Sequence, residues 1–293
     1  MASSAEKPYY YVPEGSPYPL YASVGLCALM VGIANTLHEV SWGPACAAAG
    51  ALFMIGVLFF WWRDTIKESI GGLHEGKLSG SYRQGMIWFI FSEVMFFAAL
   101  FGALFYVRWL VLPWLAGEGN NAMTHELLWP EFQAIWPLTV SPEDAQKGQV
   151  TSAVMGAWGL PAINTAILLA SSVTLTIAHH ALIAGERGKL ILFQAATILL
   201  GIVFLCLQAW EYVHAYDIGL TFDAGIYGSL FFMMTGFHGL HVTLGTIMLI
   251  VCFFRILKGH FSAENHFMYE AGAWYWHFVD VVWLFLFFVV YWL

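Results

Sequence analysis

A carboxyl group set deep in an apolar run is the first residue of this sequence that could do chemistry. Glu93 lies in Phe89-Ile90-Phe91-Ser92-Glu93-Val94-Met95-Phe96-Phe97. Hydrocarbon makes an ionisable side chain costly, so each such residue is a candidate for function. A carboxyl there can carry a proton or react with a hydrophobic carboxyl reagent. The alternative is a structural acid satisfied by a hydroxyl or imidazole on a neighbouring helix. His238 and His241 share a helix face at i, i+3 in Thr235-Gly236-Phe237-His238-Gly239-Leu240-His241. That pair could open a metal site or supply haem ligands. No other segment offers a matching His pair or carboxylate-plus-His set, so structural bonding to carboxylates such as Glu93 is the favoured reading. His179 and His180 are adjacent, point about 100° apart on a helix, and make poor co-ligands for one metal.

Two further polar sets lie near the ends of apolar runs. Gln208, Glu211, Tyr212, His214 and Asp223 form one; Glu270, Trp274, Trp276, His277 and Asp280 form the other. His277 and Asp280 fall on one side of a helix, and a lone His–Asp pair reads as a satisfied contact rather than a catalytic dyad. No Ser or Cys nucleophile with a matching base stands out, and no glycine loop could cradle a phosphate. Cys27, Cys46, Cys206 and Cys252 sit singly in apolar stretches and read as small buried hydrophobes, not as disulfides or zinc ligands. A different chemistry marks one edge of the apolar runs. Trp61, Arg63, Lys67, Glu68 and His74 follow one run, and Arg255, Lys258 and His260 end another. Indole rings beside cations suit an anionic phospholipid headgroup; the plain alternative is snorkelling of long cationic side chains.

The elements that must position these residues follow from composition. Of 293 residues, 60% are apolar and 10% charged, against roughly 25% charged in soluble domains. That excludes a water-soluble enzyme and a disordered chain, and the net charge of −8 argues against nucleic acid as a partner. The expected class is an all-α integral membrane protein, since about 20 apolar residues cross the hydrocarbon core and continuous runs favour helices over a barrel. Seven segments qualify, near Leu20–Leu37, Pro44–Trp62, Gln84–Leu112, Ala153–His179, Leu190–Trp210, Ile226–Leu257 and Phe267–Trp292. They divide into two groups, two spans (about 20–62) and then five (about 84–292), across a polar loop Arg63–Arg83, within a chain expected to pack as a single membrane domain over 1–293.

Lys7, Arg63, Lys67, Lys77, Arg83, Arg187, Lys189, Arg255 and Lys258 fall on one side of these spans, and only Arg108 and Lys147 on the other. The positive-inside rule then puts the N-terminus in the cytoplasm or matrix and the C-terminus outside. The polar stretch Met1–Tyr18 has no basic start and apolar core, so it is not expected to be a cleavable signal peptide. The external segment Pro113–Leu160, with its loop near 113–153, carries Trp114, Trp129, Trp136 and Trp158. Those rings suggest that it lies on the interface rather than hanging free. Ala98-Ala99 followed by Gly102-Ala103 would let another helix approach closely.

These residues carry a family resemblance over nearly the whole length. Trp61-Trp62-Arg63-Asp64, Ser92-Glu93-Val94-Met95-Phe96-Phe97, Ala178-His179-His180, Gln208-Ala209 with Glu211-Tyr212, the Thr235–His241 run and Ala273-Trp274-Tyr275-Trp276-His277-Phe278-Val279-Asp280 together closely resemble subunit III of the haem–copper cytochrome c oxidases of aa3 type. Tyr18 departs from the family's Ser-Pro-Trp-Pro motif, and the external loop is longer than usual. The resemblance implies seven helices in two groups around a V-shaped cleft holding phospholipids. It implies no redox centre in this chain, with haem and copper in partner subunits. The chain would be a non-catalytic core subunit of a proton-pumping oxidase, packed with subunits I and II, stabilising the catalytic subunit and supporting proton uptake. Cytochrome c would be the donor, since quinol-oxidising relatives usually lack the first two helices, and a respiratory supercomplex is a further partner. By the same resemblance Glu93 is the carbodiimide-reactive acid. Trp61, Arg63, Lys67, Glu68, His74, Arg255, Lys258 and His260 line the lipid site, while His238, His241, His277 and Asp280 are expected as an intramembrane polar network. The extended loop favours a bacterial inner membrane, with a periplasmic C-terminus, over a mitochondrial one. The rival readings are a proton channel through Glu93 and the histidines, and a haem protein in its own right.

Overall fold

The computed structural model describes residues 15–74, 77–147 and 154–292. Lys7 and the rest of the N-terminal stretch before residue 15 lie outside the described residues, as does Ala153. The fourth span begins only at Leu160, after non-helical 154–159, because Pro161 suits the first turn of a helix, and it runs on to Ile183 rather than His179. Helices α1 (Tyr18–Leu37), α2 (Gly43–Ile70), α3 (Lys77–Tyr106), α4 (Leu112–Leu115), α5 (Ala122–Leu128), α6 (Pro142–Lys147), α7 (Leu160–Ile183), α8 (Arg187–Asp217), α9 (Ile226–Leu257) and α10 (Phe267–Leu286) follow in order. Wider π turns extend α3 over Val107–Val111 and α10 over Phe287–Trp292. Seven of these stretches are long and apolar enough to span a membrane, so the chain is an all-α, multi-pass membrane protein. It divides into two units, Met1–Gln84 and Gly85–Leu293.

The first unit is a helical hairpin. Its helices meet through glycines seven residues apart, Gly25 and Gly32 on α1 and Gly43 and Gly50 on α2, all buried. A Cβ at Gly32 would fall 2.2 Å from the Ala47 nitrogen, and one at Gly50 2.4 Å from the Leu29 nitrogen. Only the missing side chains let the two backbones touch, which is how helices associate where no hydrophobic effect drives them together. The turn between them closes with Val40 donating to the Asn35 carbonyl at 2.9 Å and Glu39 in the left-handed region at φ 58°.

The polar loop expected over Arg63–Arg83 is mostly helix. α2 runs on to Ile70 and α3 begins at Lys77, with a turn over 71–74 that has Gly72 at φ 73°. Apolar length marks where a helix leaves hydrocarbon, not where it stops. Arg63, Asp64, Lys67 and Glu68 sustain it further, aided by an Asp64–Lys67 pair at 3.1 Å. The same reason lengthens the span expected at Leu190–Trp210 to Arg187–Asp217.

In the second unit α7, α8, α9 and α10 pack in a ring, each against the next and α10 back against α7. Its centre is Trp276, fully buried, lying where side chains at Gly201 or Gly245 would sit 2.7 and 2.9 Å from the ring. The indole donates to Ser171 Oγ at 2.9 Å, and Trp283 donates to Thr165 Oγ1 at 2.9 Å. Gln194 Nε2 donates to the Leu249 carbonyl while Tyr269 donates to Gln194 Oε1, at 3.1 and 2.7 Å. Of the segment expected outside, Phe132 and Leu138 are buried and Trp129 and Trp136 pack on the core; Trp158 is exposed. An added Cβ at Gly102 meets nothing within 4 Å, so among the described residues no helix closes on the small-residue patch that was expected to admit one.

Candidate functional site

α3 carries Glu93 to α9, where Oε2 lies 3.0 Å from His241 Nε2. His241 Nδ1 stands 2.6 Å from the Phe237 carbonyl. A carbonyl only accepts, so Nδ1 carries a proton and donates it. That leaves two arrangements for Nε2: it accepts from a protonated Glu93, or it donates to the ionised carboxylate. Either way the contact holds one proton between a carboxyl and an imidazole. Ser92 Oγ, whose single proton goes to the Phe89 carbonyl at 2.7 Å, lies 3.4 Å from the other oxygen, Oε1. Phe96, Phe97 and Tyr275 surround the imidazole with ring centroids 6.0, 5.0 and 6.3 Å away, a low-dielectric wall that strengthens the contact. The acid is thus satisfied by an imidazole on a neighbouring helix, as the structural reading of Glu93 required.

The remaining members of the expected polar network do not join this pair. His238 Nε2 donates to the Val279 carbonyl at 3.1 Å, between the rings of Phe204 and Trp283. His277 Nδ1 lies 2.6 Å from Ser172 Oγ, and Asp280 Oδ2 is 3.8 Å away, beyond hydrogen-bond reach. His238 and His241 therefore make separate contacts, while His277 and Asp280 lie against each other and Ser172. The cause is helical phase: His238 turns towards the α8–α10 interior, His241 towards α3, and His277 towards α7.

Along the edge read as a lipid seat, the two units differ. In the hairpin unit Tyr18 donates to Asp64 at 2.5 Å and stacks on Trp61 at 5.8 Å. Lys67 is paired with Asp64, His74 Nε2 is 3.3 Å from Glu68, and Arg63 stands over the Phe60 ring at 5.9 Å. In the larger unit Arg255 is 6% exposed. It donates to Met268 Sδ at 2.8 Å and lies 4.6 Å over the Phe261 ring, while its Nε has no partner. Among the described residues no carboxylate pairs with it. Lys258 is exposed beside it. His260 is held below the usual imidazole range, first by burial and then by the Arg255 and Lys258 cations.

Two residues of the outer polar set matter more than their spacing suggested. Glu211 and Gln208 are 0% and 5% exposed; among the described residues the buried Tyr291 hydroxyl is the group that acts on both. The signal was present: α8 buries Leu190, Gln194, Thr197, Gly201, Phe204, Gln208, Glu211 and Ala215, a stripe stepping by four and three. Two cysteines contradict their reading as buried hydrophobes. Cys27 and Cys206 are exposed, because a thiol facing hydrocarbon need not be hidden. No group of three or more His, Cys, Asp or Glu among the described residues converges on a metal position.

The profile described as Cytochrome c oxidase subunit III matches residues 7–113 and 132–293. The stretch it passes over falls inside the long segment between the third and fourth spans. A protein of Marchantia polymorpha named Cytochrome c oxidase subunit 3 is 41% identical over 295 residues, covering 100% of this chain and 98% of its own length. Proteins of the same name from Arabidopsis thaliana and Cyprinus carpio are each 40% identical, covering 97% of this chain and 96% of their own length. Matched over nearly its whole length by the family's profile and by such relatives, the chain belongs to the cytochrome c oxidase subunit III family.

Proposed function

We propose that this chain seats anionic phospholipid at its inner edge and supports proton uptake by the catalytic subunit of a proton-pumping cytochrome c oxidase. As a family member it is one subunit of a multi-subunit oxidoreductase and is not itself the catalyst. Haem and copper belong to subunits I and II in this reading, and cytochrome c is the donor to the complex. The observation that carries the lipid role is Arg255: a buried guanidinium answered, among the described residues, only by a thioether and a ring suits a phosphate, which can take several charge-assisted bonds. Lys258 and His260 join Arg255 at that seat in this reading, and Trp61, Arg63, Lys67, Glu68 and His74 are the lipid-binding residues of the hairpin unit. Glu93 is its carbodiimide-reactive acid, and the proton shared with His241 supports that role. The asymmetry of Lys and Arg supports an inner N-terminus. The unmatched external stretch supports a bacterial inner membrane; the relatives named above lend that choice no weight.

Purification of the tagged full chain in mild detergent tests the reading. It should bring down partner chains bearing the visible spectrum of haem, with anionic phospholipid retained. A chain that emerges alone, or that holds iron or copper in stoichiometric amount after its partners are removed, overturns it.

A further inference from the structure

We propose that the outer face of α10, centred on His277, is the docking seam for a transmembrane helix of another subunit, which presents a hydrogen-bonding side chain to His277 at mid-membrane. The inference rests on the subunit reading above and names a surface for it. Glu270, Trp274, His277, Val281, Leu284 and Phe288 step along α10 by four and three, the spacing with which one helix packs along another. None of them is buried: Val281, Leu284 and Phe288 are 51%, 39% and 53% exposed. A stripe facing lipid would have the same spacing, so the spacing alone decides nothing. The imidazole decides.

His277 lies ten residues into the Phe267–Trp292 span, about 15 Å from its end at a rise of about 1.5 Å per residue. That is the middle of a hydrocarbon core about 30 Å thick. Its side chain is 39% exposed there. Nδ1 is engaged by Ser172 on α7, which turns the opposite edge of the ring, with Nε2, outward, and no hydrogen bond within the chain reaches Nε2 among the described residues. Behind it the Asp280 side chain, 6% exposed, lies 3.8 Å from the same imidazole and leans on it and on Ser172. A half-built polar cluster of this kind is costly against acyl chains, which neither donate nor accept. A neighbouring helix with a hydroxyl, amide or indole at that depth completes it, and a single polar contact in an apolar seam fixes the register of the pair. Glu270 at the inner end and the π turn over Phe287–Trp292 bound the seam; beyond Phe288 the turn carries Val290 and Tyr291 inward, where they are buried.

The test uses the assembled complex, with Val281→p-benzoylphenylalanine introduced into the full chain. Val281 points outward, so the probe does not enter the core. Illumination should join this chain to another membrane polypeptide, and adding His277→Leu should lower that yield about threefold or more, the scale of one interhelical hydrogen bond. His277→Gln, whose amide still reaches a partner, should restore most of it. An adduct with phospholipid alone, or a yield indifferent to His277→Leu, overturns the seam. If the chain co-purifies with haem-bearing partners and still gives only lipid adducts, the seam fails and the subunit reading stands. If it crosslinks at position 281 to a chain from no oxidase, the seam stands and the subunit reading fails.

Discussion

The hairpin unit and the larger unit hold their helices together in opposite ways. In the hairpin, backbone lies on backbone, with glycines at 25, 32, 43 and 50, and among the described residues no polar or charged side chain is buried there. In the larger unit glycine makes room for a ring instead, Trp276 filling the places at Gly201 and Gly245. Its helices are tied by side-chain hydrogen bonds, Thr174 with Thr197 at 2.8 Å and Tyr212 with Thr235 at 2.7 Å among them. α8 is the extreme case: it buries Gln194, Thr197, Gln208 and Glu211 and turns Leu192 and Leu199 outward. In hydrocarbon an apolar side chain gains nothing by turning inward, so close approach and polar partners decide which face is buried. The unit with buried polar groups is also the one able to hold a proton.

The sharpest way to break this comparison is to fill the hairpin. Gly32→Leu places carbon where the Ala47 backbone already lies, and we expect a loss of about 3 kcal/mol or more, read as a lower thermal midpoint of the purified chain in mild detergent. Gly102→Leu, where an added Cβ meets nothing within 4 Å, should melt with the wild type. Equal midpoints for the two variants would mean that backbone contact is not what holds the hairpin. The matching test in the larger unit removes the carboxyl. Glu93→Leu strands His241 Nε2 and should cost about 1–3 kcal/mol. Glu93→Gln, whose amide can still donate to Nε2, should keep most of that stability and abolish labelling by a hydrophobic carbodiimide. Undiminished labelling of Glu93→Gln would move the reactive carboxyl elsewhere.

The contrast also explains what could be read in the sequence. All seven spans were legible because continuous apolar length is a one-dimensional signal, and Ile226–Leu257 and Phe267–Trp292 coincide with the structure end to end. Helix ends beyond the hydrocarbon were not, because Arg63 through Ile70 and Lys77 through Arg83 carry no apolar signal although they stay helical. Glu93 was legible as a lone acid in an apolar run, and its partnership with an imidazole followed from the cost of leaving it alone. Which imidazole it meets was not legible, since His238 and His241 differ only in phase against helices whose packing the sequence does not give. The burial of Glu211 was legible in principle from the four-and-three stripe of α8, but only to a reader prepared to place the polar face inside.

Arg255 gives a smaller and more local effect. If its guanidinium answers a phosphate, Arg255→Ala in the assembled oxidase should lower retained anionic phospholipid severalfold, measured by mass spectrometry of lipids extracted from the purified complex. Arg255→Lys should retain part of it, since an ammonium supplies the charge without the planar fork. Full retention in Arg255→Ala would leave the cation answered by Met268 and Phe261 alone, and the lipid seat would lose its main support.

The smallest effect concerns His260, and it separates burial from charge at the same edge. Burial and the two nearby cations all disfavour its protonated form, so it should stay neutral to a lower pH than a free histidine, whose pKa is about 6.5. The native state then binds fewer protons than the unfolded chain in the window below about 6.5. Stability contributed by His260 is present above that window and is lost as the pH falls through it. Diethyl pyrocarbonate, which attacks neutral imidazole, should modify His260 down into this window. Arg255→Ala removes one cation but not the burial, which is the larger cause, so the titration should rise only part of the way back. Full return to the ordinary value would make charge the dominant cause, and no movement would mean that Arg255 does not act on this imidazole; phospholipid bound at Arg255 would mask the same charge, so delipidated and lipid-replete complexes should titrate differently.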